Sequence, residues 1–246
     1  MDKCFVITGA SSDLGTTFIK QLIQKNETAE VWAHYRTWSD SLEEIQHLNS
    51  AVKIHYEQCD LADPQSVDTM LGRWNAANVL PTHILHFAAS PFRYVRFRQI
   101  DFNDLQKDMQ IQVYSLAAIL KNFLPVMAKK HFGRVVAMVS SCTIGTPPKC
   151  LANYTTVKYA LLGLLRSAAA EYGANGITVN GVSPGMIETK FLKEIDEKFV
   201  EFDAASSSLK RHITPAEVMV GINFLLDDEN TFTNGINLNL SAGTPM

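Results

Sequence analysis

The chain has 246 residues, 46% of them hydrophobic, and a formal charge of −3 from 22 basic and 25 acidic side chains. That length can bury one sizeable core, so a single domain spanning 1–246 is expected. The near-balanced charge, free of long single-sign runs, argues against nucleic acid or an anionic membrane surface as a partner.

The first eight residues lack the basic region and cleavage site of a secretory signal, and no apolar run approaches the about 18 residues that span a bilayer, so a soluble, cytoplasmic protein is expected. Short runs rich in β-branched and aliphatic residues then alternate with segments of helical period. This predicts an α/β fold: one Rossmann-type, doubly wound parallel sheet with helices on both faces. Seven strands are expected, over 3–8, 30–35, 52–58, 82–88, 134–140, 177–182 and 236–240. Helices are expected over 14–25, 41–48, 64–75, about 103–130, 153–172 and 215–226. Asp63-Pro64 places an acceptor before a proline at a first helical position, and Thr214-Pro215-Ala216-Glu217 carries a capping-box glutamate. Residues 186–212, long, mixed in charge and following a strand, read as a substrate lid. Cys4, Cys59, Cys142 and Cys150 form no CxxC pair and have no histidine at metal-ligand spacing, which predicts reduced thiols and no metal site.

The first strand runs into Thr8-Gly9-Ala10-Ser11-Ser12-Asp13-Leu14-Gly15, where the next helix begins. A glycine turn between strand and helix offers free N–H groups and the positive helix end to a phosphate. Gly9 permits the tight turn and Gly15 the close packing of helix on sheet. Asp13 is awkward beside a pyrophosphate, and its alternative is to accept N–H bonds at the helix start. About twenty residues beyond Gly15, where an acid would bind a ribose hydroxyl, stand Tyr35 and Arg36. The arginine fork can pair with a 2'-phosphate, which favours NADP(H) over NAD(H), and a solvated surface arginine is the competing reading.

Tyr154 and Lys158 are four apart at a helix start, so phenol and ammonium share one face. A neighbouring cation is expected to lower the phenol pKa and fit it for proton transfer to a carbonyl oxygen. Ser141 lies thirteen residues before the tyrosine at a strand's carboxyl end, where its hydroxyl can hold the same oxygen.

Taken jointly and in this order, Thr8-Gly9 through Gly15, Asp60-Leu61, Ala88-Ala89, Ser141, Tyr154, Lys158, Asn180, Pro184-Gly185 and Thr189 resemble the short-chain dehydrogenase/reductase family, compact type, over essentially the whole chain. The resemblance implies that Tyr154 is the acid-base, that Lys158 binds the nicotinamide ribose, and that Ser141 orients the carbonyl. It further implies that Ser11, Ser12, Asp13, Leu14 and Ala88 line the cofactor. Asp60 would contact the adenine with Leu61 beside it, and Pro184, Gly185, Ile187 and Thr189 would hold the nicotinamide. A turn acceptor at Asp60 and a helix cap at Thr189 are the competing readings.

Three positions depart from the family pattern. Asp13 replaces a glycine, His86-Phe87 replaces two asparagines, and Gln112 replaces the asparagine that supports a proton relay. The nearest pattern, carried by Arg36, the short lid and the terminal segment 234–243, is that of 3-oxoacyl-(acyl-carrier-protein) reductases. It implies a 3-oxoacyl thioester, small or carrier-bound, as substrate. A sugar or specialised-metabolite ketone is the alternative, and a cofactor-binding protein with little catalysis is the reading of another class. Apolar residues on more than one stripe of the helices at about 103–130 and 153–172 predict a homodimer or homotetramer.

Overall fold

The computed structural model describes residues 3–25, 27–48 and 50–243. The ends of the expected 1–246 domain, 1–2 and 244–246, lie outside the described residues. The strands are β1 (Lys3–Thr8), β2 (Ala29–Tyr35), β3 (Val52–Gln58), β4 (His83–His86), β5 (Gly133–Met138), β6 (Ile177–Pro184) and β7 (Asn237–Leu240). They form one parallel sheet in the order β3-β2-β1-β4-β5-β6-β7. The chain winds outward from β1 to β3, then returns to lay β4 on the other side of β1. That reversal opens a crevice beyond the carboxyl ends of β1 and β4, the place where open α/β sheets take ligands.

Central strands read as near-continuous apolar runs because both of their faces are covered: every residue of β5 and β6 is buried. One face is packed by α1 (Asp13–Gln24), α2 (Asp40–Gln46) and α8 (Pro215–Leu226), through Phe18, Ile19, Leu42, Ile45, Val218 and Ile222. The other is packed by α3 (Pro64–Ala76), α5 (Ser115–Lys129) and α6 (Ala152–Tyr172), where Trp74, Phe123 and Leu161 meet. The two starts legible in the sequence are capped as written. Asp63 accepts the Gln65 N–H, and Thr214 and Glu217 complete a capping box.

The long helix expected at 103–130 is composite. α4 (Phe102–Met109) passes through a π-helical turn, Gln110–Tyr114, into α5. The whole, Phe102–Lys129, is long and apolar enough to cross a membrane by length and composition, contrary to the expectation that no stretch reaches that size. Its Leu116, Ile119, Phe123 and Met127 are nonetheless buried in the protein core, as in a soluble core helix. The segment 186–212 is also more ordered than a loop. It holds a 3-10 turn, Lys190–Glu194, and α7 (Glu197–Ser206), and a bridge between Ile187 and Ile213 closes its base. α7 escapes a sequence reading because none of its residues is buried, so no apolar period marks it.

Candidate active site

The β1–α1 turn is shaped by two glycines. Gly9 has φ +72, and a Cβ there would lie 2.8 Å from the Ala88 nitrogen, where β4 leaves the sheet. A Cβ on Gly15 would lie 2.6 Å from the Ala10 Cα and the Gly9 oxygen. Ser12 caps α1 by accepting the Gly15 N–H at 3.1 Å, and the Asp13 and Leu14 N–H groups of the first turn have no intrahelical acceptor. Asp13 does not turn its carboxylate back to the helix start. Its Oδ2 accepts the backbone N–H of Lys190 at 2.6 Å, joining the turn to the 186–212 segment. The turn keeps its open glycine cradle and partly positive helix end, with the Asp13 carboxylate beside it engaged by Lys190, an outline that suits a dinucleotide pyrophosphate.

Beneath the turn lies a residue the sequence reading missed. His34, buried near the end of β2, accepts the Gly9 N–H on Nδ1 at 3.1 Å, and its Nε2–H donates to the Cys59 carbonyl at 3.0 Å. Burial pulls its pKa down to about 4, so the ring is neutral and can serve as acceptor and donor at once. Arg36 is exposed just beyond β2, and among the described residues its guanidinium forms no ion pair. Asp60 follows β3 and accepts the Ala62 N–H at 3.0 Å on Oδ1, while Leu61 is buried beside it. Ala88 is half-buried after β4. Pro184 ends β6, Gly185 and Ile187 follow half-buried, and the Thr189 hydroxyl donates to the Ile187 carbonyl at 3.3 Å.

The candidate acid–base residues follow strand β5 and open helix α6. Two adjacent hydroxyls follow β5: Ser141, expected from the sequence to hold the substrate oxygen, and Ser140, whose hydroxyl draws the Tyr154 pKa down. Ser140 is held firmly: its N–H donates to the Ser183 hydroxyl at 3.2 Å, its carbonyl accepts the Thr143 hydroxyl at 2.8 Å, and its own hydroxyl accepts the Cys142 N–H at 3.3 Å. Ser141 is buried and lines a cavity of about 340 Å³ beneath α7, together with Gly185, Met186, Asp203, His212 and Ser241.

Lys158 is also buried. Its Nζ donates to the Met138 carbonyl at 2.8 Å and sits 5.6 Å from the centre of the Tyr154 ring. Burial lowers the Lys158 pKa to about 8. Tyr154 moves against expectation: burial pushes the phenol above its ordinary value, outweighing Ser140. The physical reason is that desolvation of the anion dominates while the ammonium is committed to a main-chain carbonyl.

Behind Lys158, the π turn and the end of β4 assemble two buried polar groups. His86 pairs its Nδ1 with the Thr8 hydroxyl at 2.6 Å, and its Nε2 has no hydrogen-bond partner. Burial, reinforced by the Lys158 charge, lowers its pKa to about 3. Gln112, 2% exposed, likewise leaves its Oε1 unpaired. π turns interrupt helices chiefly where a side chain must be aimed into a site.

The outer wall is aromatic. Phe92 lies edge-on to Tyr154 with ring centres 5.0 Å apart, and it also meets Tyr94 at 4.9 Å and Phe191 at 6.1 Å. Tyr94 stacks on Phe199 of α7 at 5.1 Å. Among the described residues no metal-ligating cluster is assembled, and all four cysteines are free.

Residues 9–244 match the family described as enoyl-(acyl carrier protein) reductase. The chain belongs to the short-chain dehydrogenase/reductase family. As a short-chain dehydrogenase/reductase it is a nicotinamide-dependent oxidoreductase of the CH–OH class. It is 26% identical to the 3-oxoacyl-(acyl-carrier-protein) reductase FabG of Rickettsia prowazekii, covering 99% of this chain and 97% of that protein. It is 30% identical to zerumbone synthase of Zingiber zerumbet, covering 98% and 94%. Two solved short-chain dehydrogenase/reductase folds superpose over 99% of the chain. ElxO with NADP bound has TM-score 0.85, 24% identity and 99% of its own chain covered. A 3-oxoacyl-(acyl-carrier protein) reductase of Brucella melitensis with bound NAD has TM-score 0.86, 20% identity and 91% covered. Against this family the three departures have physical neighbours: Asp13 binds Lys190, His86 binds Thr8, and Gln112 occupies the π turn.

Proposed function

We propose that this protein transfers hydride reversibly between NADP(H) and a ketone or secondary alcohol. The observation that supports the reading is the gathering of Ser140, Ser141, Tyr154 and Lys158 beyond the carboxyl end of β5. That set faces the crevice that also receives the β1 turn and the end of β6. Bound NADPH would supply hydride to the carbonyl carbon. The turn from Gly9 to Gly15, with Ser11, Ser12 and Leu14, would hold the pyrophosphate. Asp60, Leu61 and Ala88 would flank the adenine half, and Pro184, Gly185, Ile187 and Thr189 the nicotinamide half. Arg36, exposed and unpaired, supports a 2'-phosphate partner, hence NADP(H) over NAD(H).

The chain's own residues divide the proton chemistry. A phenol held above its ordinary pKa is protonated through neutral pH, so Tyr154 begins as a donor to the substrate oxygen, the state that reduction needs. Ser141 would present its hydroxyl to the same oxygen, in a turn held by the three hydrogen bonds of Ser140. Lys158 brings positive charge under the phenol as proton leaves it, and Gln112 with His86 supplies the polar groups behind the lysine.

Two substrate classes remain from the sequence. The 3-oxoacyl thioester is supported by the FabG relatives, and the specialised-metabolite ketone by zerumbone synthase at 30% identity. A dimer or tetramer is supported by Tyr114 and Tyr159, about half exposed on the central helices, and by Val220 and Phe224, exposed on α8. The test is titration of NADPH and NADH, followed by turnover of a ketone panel by wild type and Tyr154→Phe. Tighter NADPH binding and loss of turnover with binding retained are expected. A variant as active as the wild type would sink the assignment of Tyr154.

A further inference from the structure

We infer that the substrate carries a flat, apolar ring next to its reacting carbonyl, seated between Phe92 and the α7 aromatics, and is neither a polyol nor an unbranched 3-oxoacyl chain. This rests on the reading of Tyr154 as the proton donor and specifies what reaches it.

The surface that a substrate must meet at Tyr154 consists of rings. Phe92 is edge-on to the phenol, Phe191 reaches Phe92 from the 3-10 turn, and Tyr94 stacks on Phe199 of α7 at an interplanar angle of 23°. Three separate stretches of chain contribute: the loop after β4, the 3-10 turn and α7. The loop is pinned by main-chain pairing, with the Val95 N–H donating to the Cys150 carbonyl at 2.8 Å and Val95 bridging to Leu151 one residue before α6. Backbone geometry thus holds Phe92 and Tyr94 against the helix that carries Tyr154.

These rings are also incompletely covered. Tyr94 is 39% and Phe199 53% exposed, so apolar area is concentrated at the mouth of the site. A ligand that enters between the loop and α7 parts Phe92 from Tyr154. A planar apolar group restores edge and face contacts to each ring it separates. A polyol would set hydroxyls against ring surfaces that offer them no partner, and a linear acyl chain would recover area without the paired geometry of rings. The neighbouring polar cavity is lined by none of these rings: there Arg211 donates twice to Glu217, at 2.8 and 2.6 Å, His212 lies 3.4 Å from Asp203, and the buried Ser241 hydroxyl has no partner.

The test uses the full chain loaded with NADP(H). Calorimetric binding to Tyr154→Phe is measured for 2-tetralone, for the N-acetylcysteamine thioester of acetoacetate and for dihydroxyacetone, and wild-type turnover of all three is measured in parallel. The expected result is that 2-tetralone binds at least about tenfold more tightly than the others, and that Phe92→Ala weakens it by about tenfold while Phe92→Tyr restores it. In turnover, Phe92→Ala should raise KM for 2-tetralone and leave kcat nearly unchanged. Equal or tighter binding of the thioester, or indifference of 2-tetralone to Phe92→Ala, overturns the inference. Turnover of the thioester with no binding of 2-tetralone overturns it while sparing the hydride-transfer reading. Binding of 2-tetralone without turnover of any ketone overturns that reading and, with it, the inference that rests on it.

Discussion

The carboxylate of Asp13 accepts the backbone N–H of Lys190 at 2.6 Å, so the β1–α1 turn and the 186–212 segment are tied together across 177 residues of sequence. A glycine at this position would leave the turn more neutral and the segment unanchored. Two opposite consequences follow from one contact. In Asp13→Ala, NADPH should bind about two- to fivefold more tightly, because an acid near the pyrophosphate is gone. The same variant should be cut faster by trypsin at Lys190, Lys198 or Lys210, because a charge-assisted hydrogen bond no longer holds the segment. Unchanged proteolysis together with weaker NADPH binding would contradict this account.

Lys158 is a stability cost carried for the sake of the site. Its ammonium is buried against the Met138 carbonyl and its pKa falls from 10.5 to about 8. The unfolded chain keeps that proton up to about 10.5, so between pH 8 and 10.5 the unfolded state binds more protons and stability rises with pH. Below pH 8 the full penalty is present. Lys158→Met should therefore unfold at higher urea than the wild type at pH 7, by about 1 to 2 kcal/mol once the carbonyl left without its donor is allowed for. The two curves should converge as pH approaches 10.5, while the variant shows no turnover. A less stable Lys158→Met at pH 7 would mean that packing around the ammonium outweighs its desolvation.

Acid should act through three histidines. His34, His83 and His86 are buried, and their pKa values lie at about 4, 4 and 3 against 6.5 for an open imidazole, chiefly through desolvation. Each adds stability that is fully present above pH 6.5 and is lost as pH falls towards the folded value, since the unfolded ring takes up a proton that the folded ring refuses. For His34 alone the drop from 6.5 to about 4 is worth roughly 3 kcal/mol. Urea midpoints measured from pH 7 to pH 4.5 should fall steeply in the wild type. In His34→Gln the slope should be shallower even though the starting stability is lower. Parallel slopes would show that His34 is protonated in the folded state.

Much of this architecture was legible because parallel strands buried on both faces read as apolar runs, as Phe5-Val6-Ile7 and Val135-Val136 do. Caps at Asp63 and Thr214 announced themselves by residue type. The π turn did not, since Gln110–Tyr114 has the composition of any helix and its packing against α6 is set only in the folded chain. His34 was invisible for a similar reason: a histidine in a strand gives no sign that a glycine N–H lies above it. The aromatic wall unites residues 92, 94, 191 and 199 only through tertiary structure, and no local spacing links them. The strand expected to reach Ser140 ends at Met138, and Ser140 caps the short turn that carries Ser141, a local geometry that no residue type announces.

The two adjacent serines have separable consequences. Ser140 is locked through Ser183 and Thr143, and Ser183 in turn donates to Asn237 at 2.6 Å, so the turn after β5 is held by a chain of fixed partners. Ser141, within that turn, lines the cavity beneath α7, on the side of Ser241. Removing a preorganised donor to a developing oxyanion costs on the order of 100-fold in kcat. On its proposed role, Ser141→Ala should therefore lose about two orders of magnitude in kcat with NADPH affinity unchanged. Ser140→Ala removes a hydroxyl that draws the phenol pKa down, so the basic limb for alcohol oxidation should move to higher pH in that variant and stay in place in Ser141→Ala. Were Ser140→Ala the inactive variant and Ser141→Ala within about threefold of the wild type in kcat, Ser140 rather than Ser141 would hold the substrate oxygen.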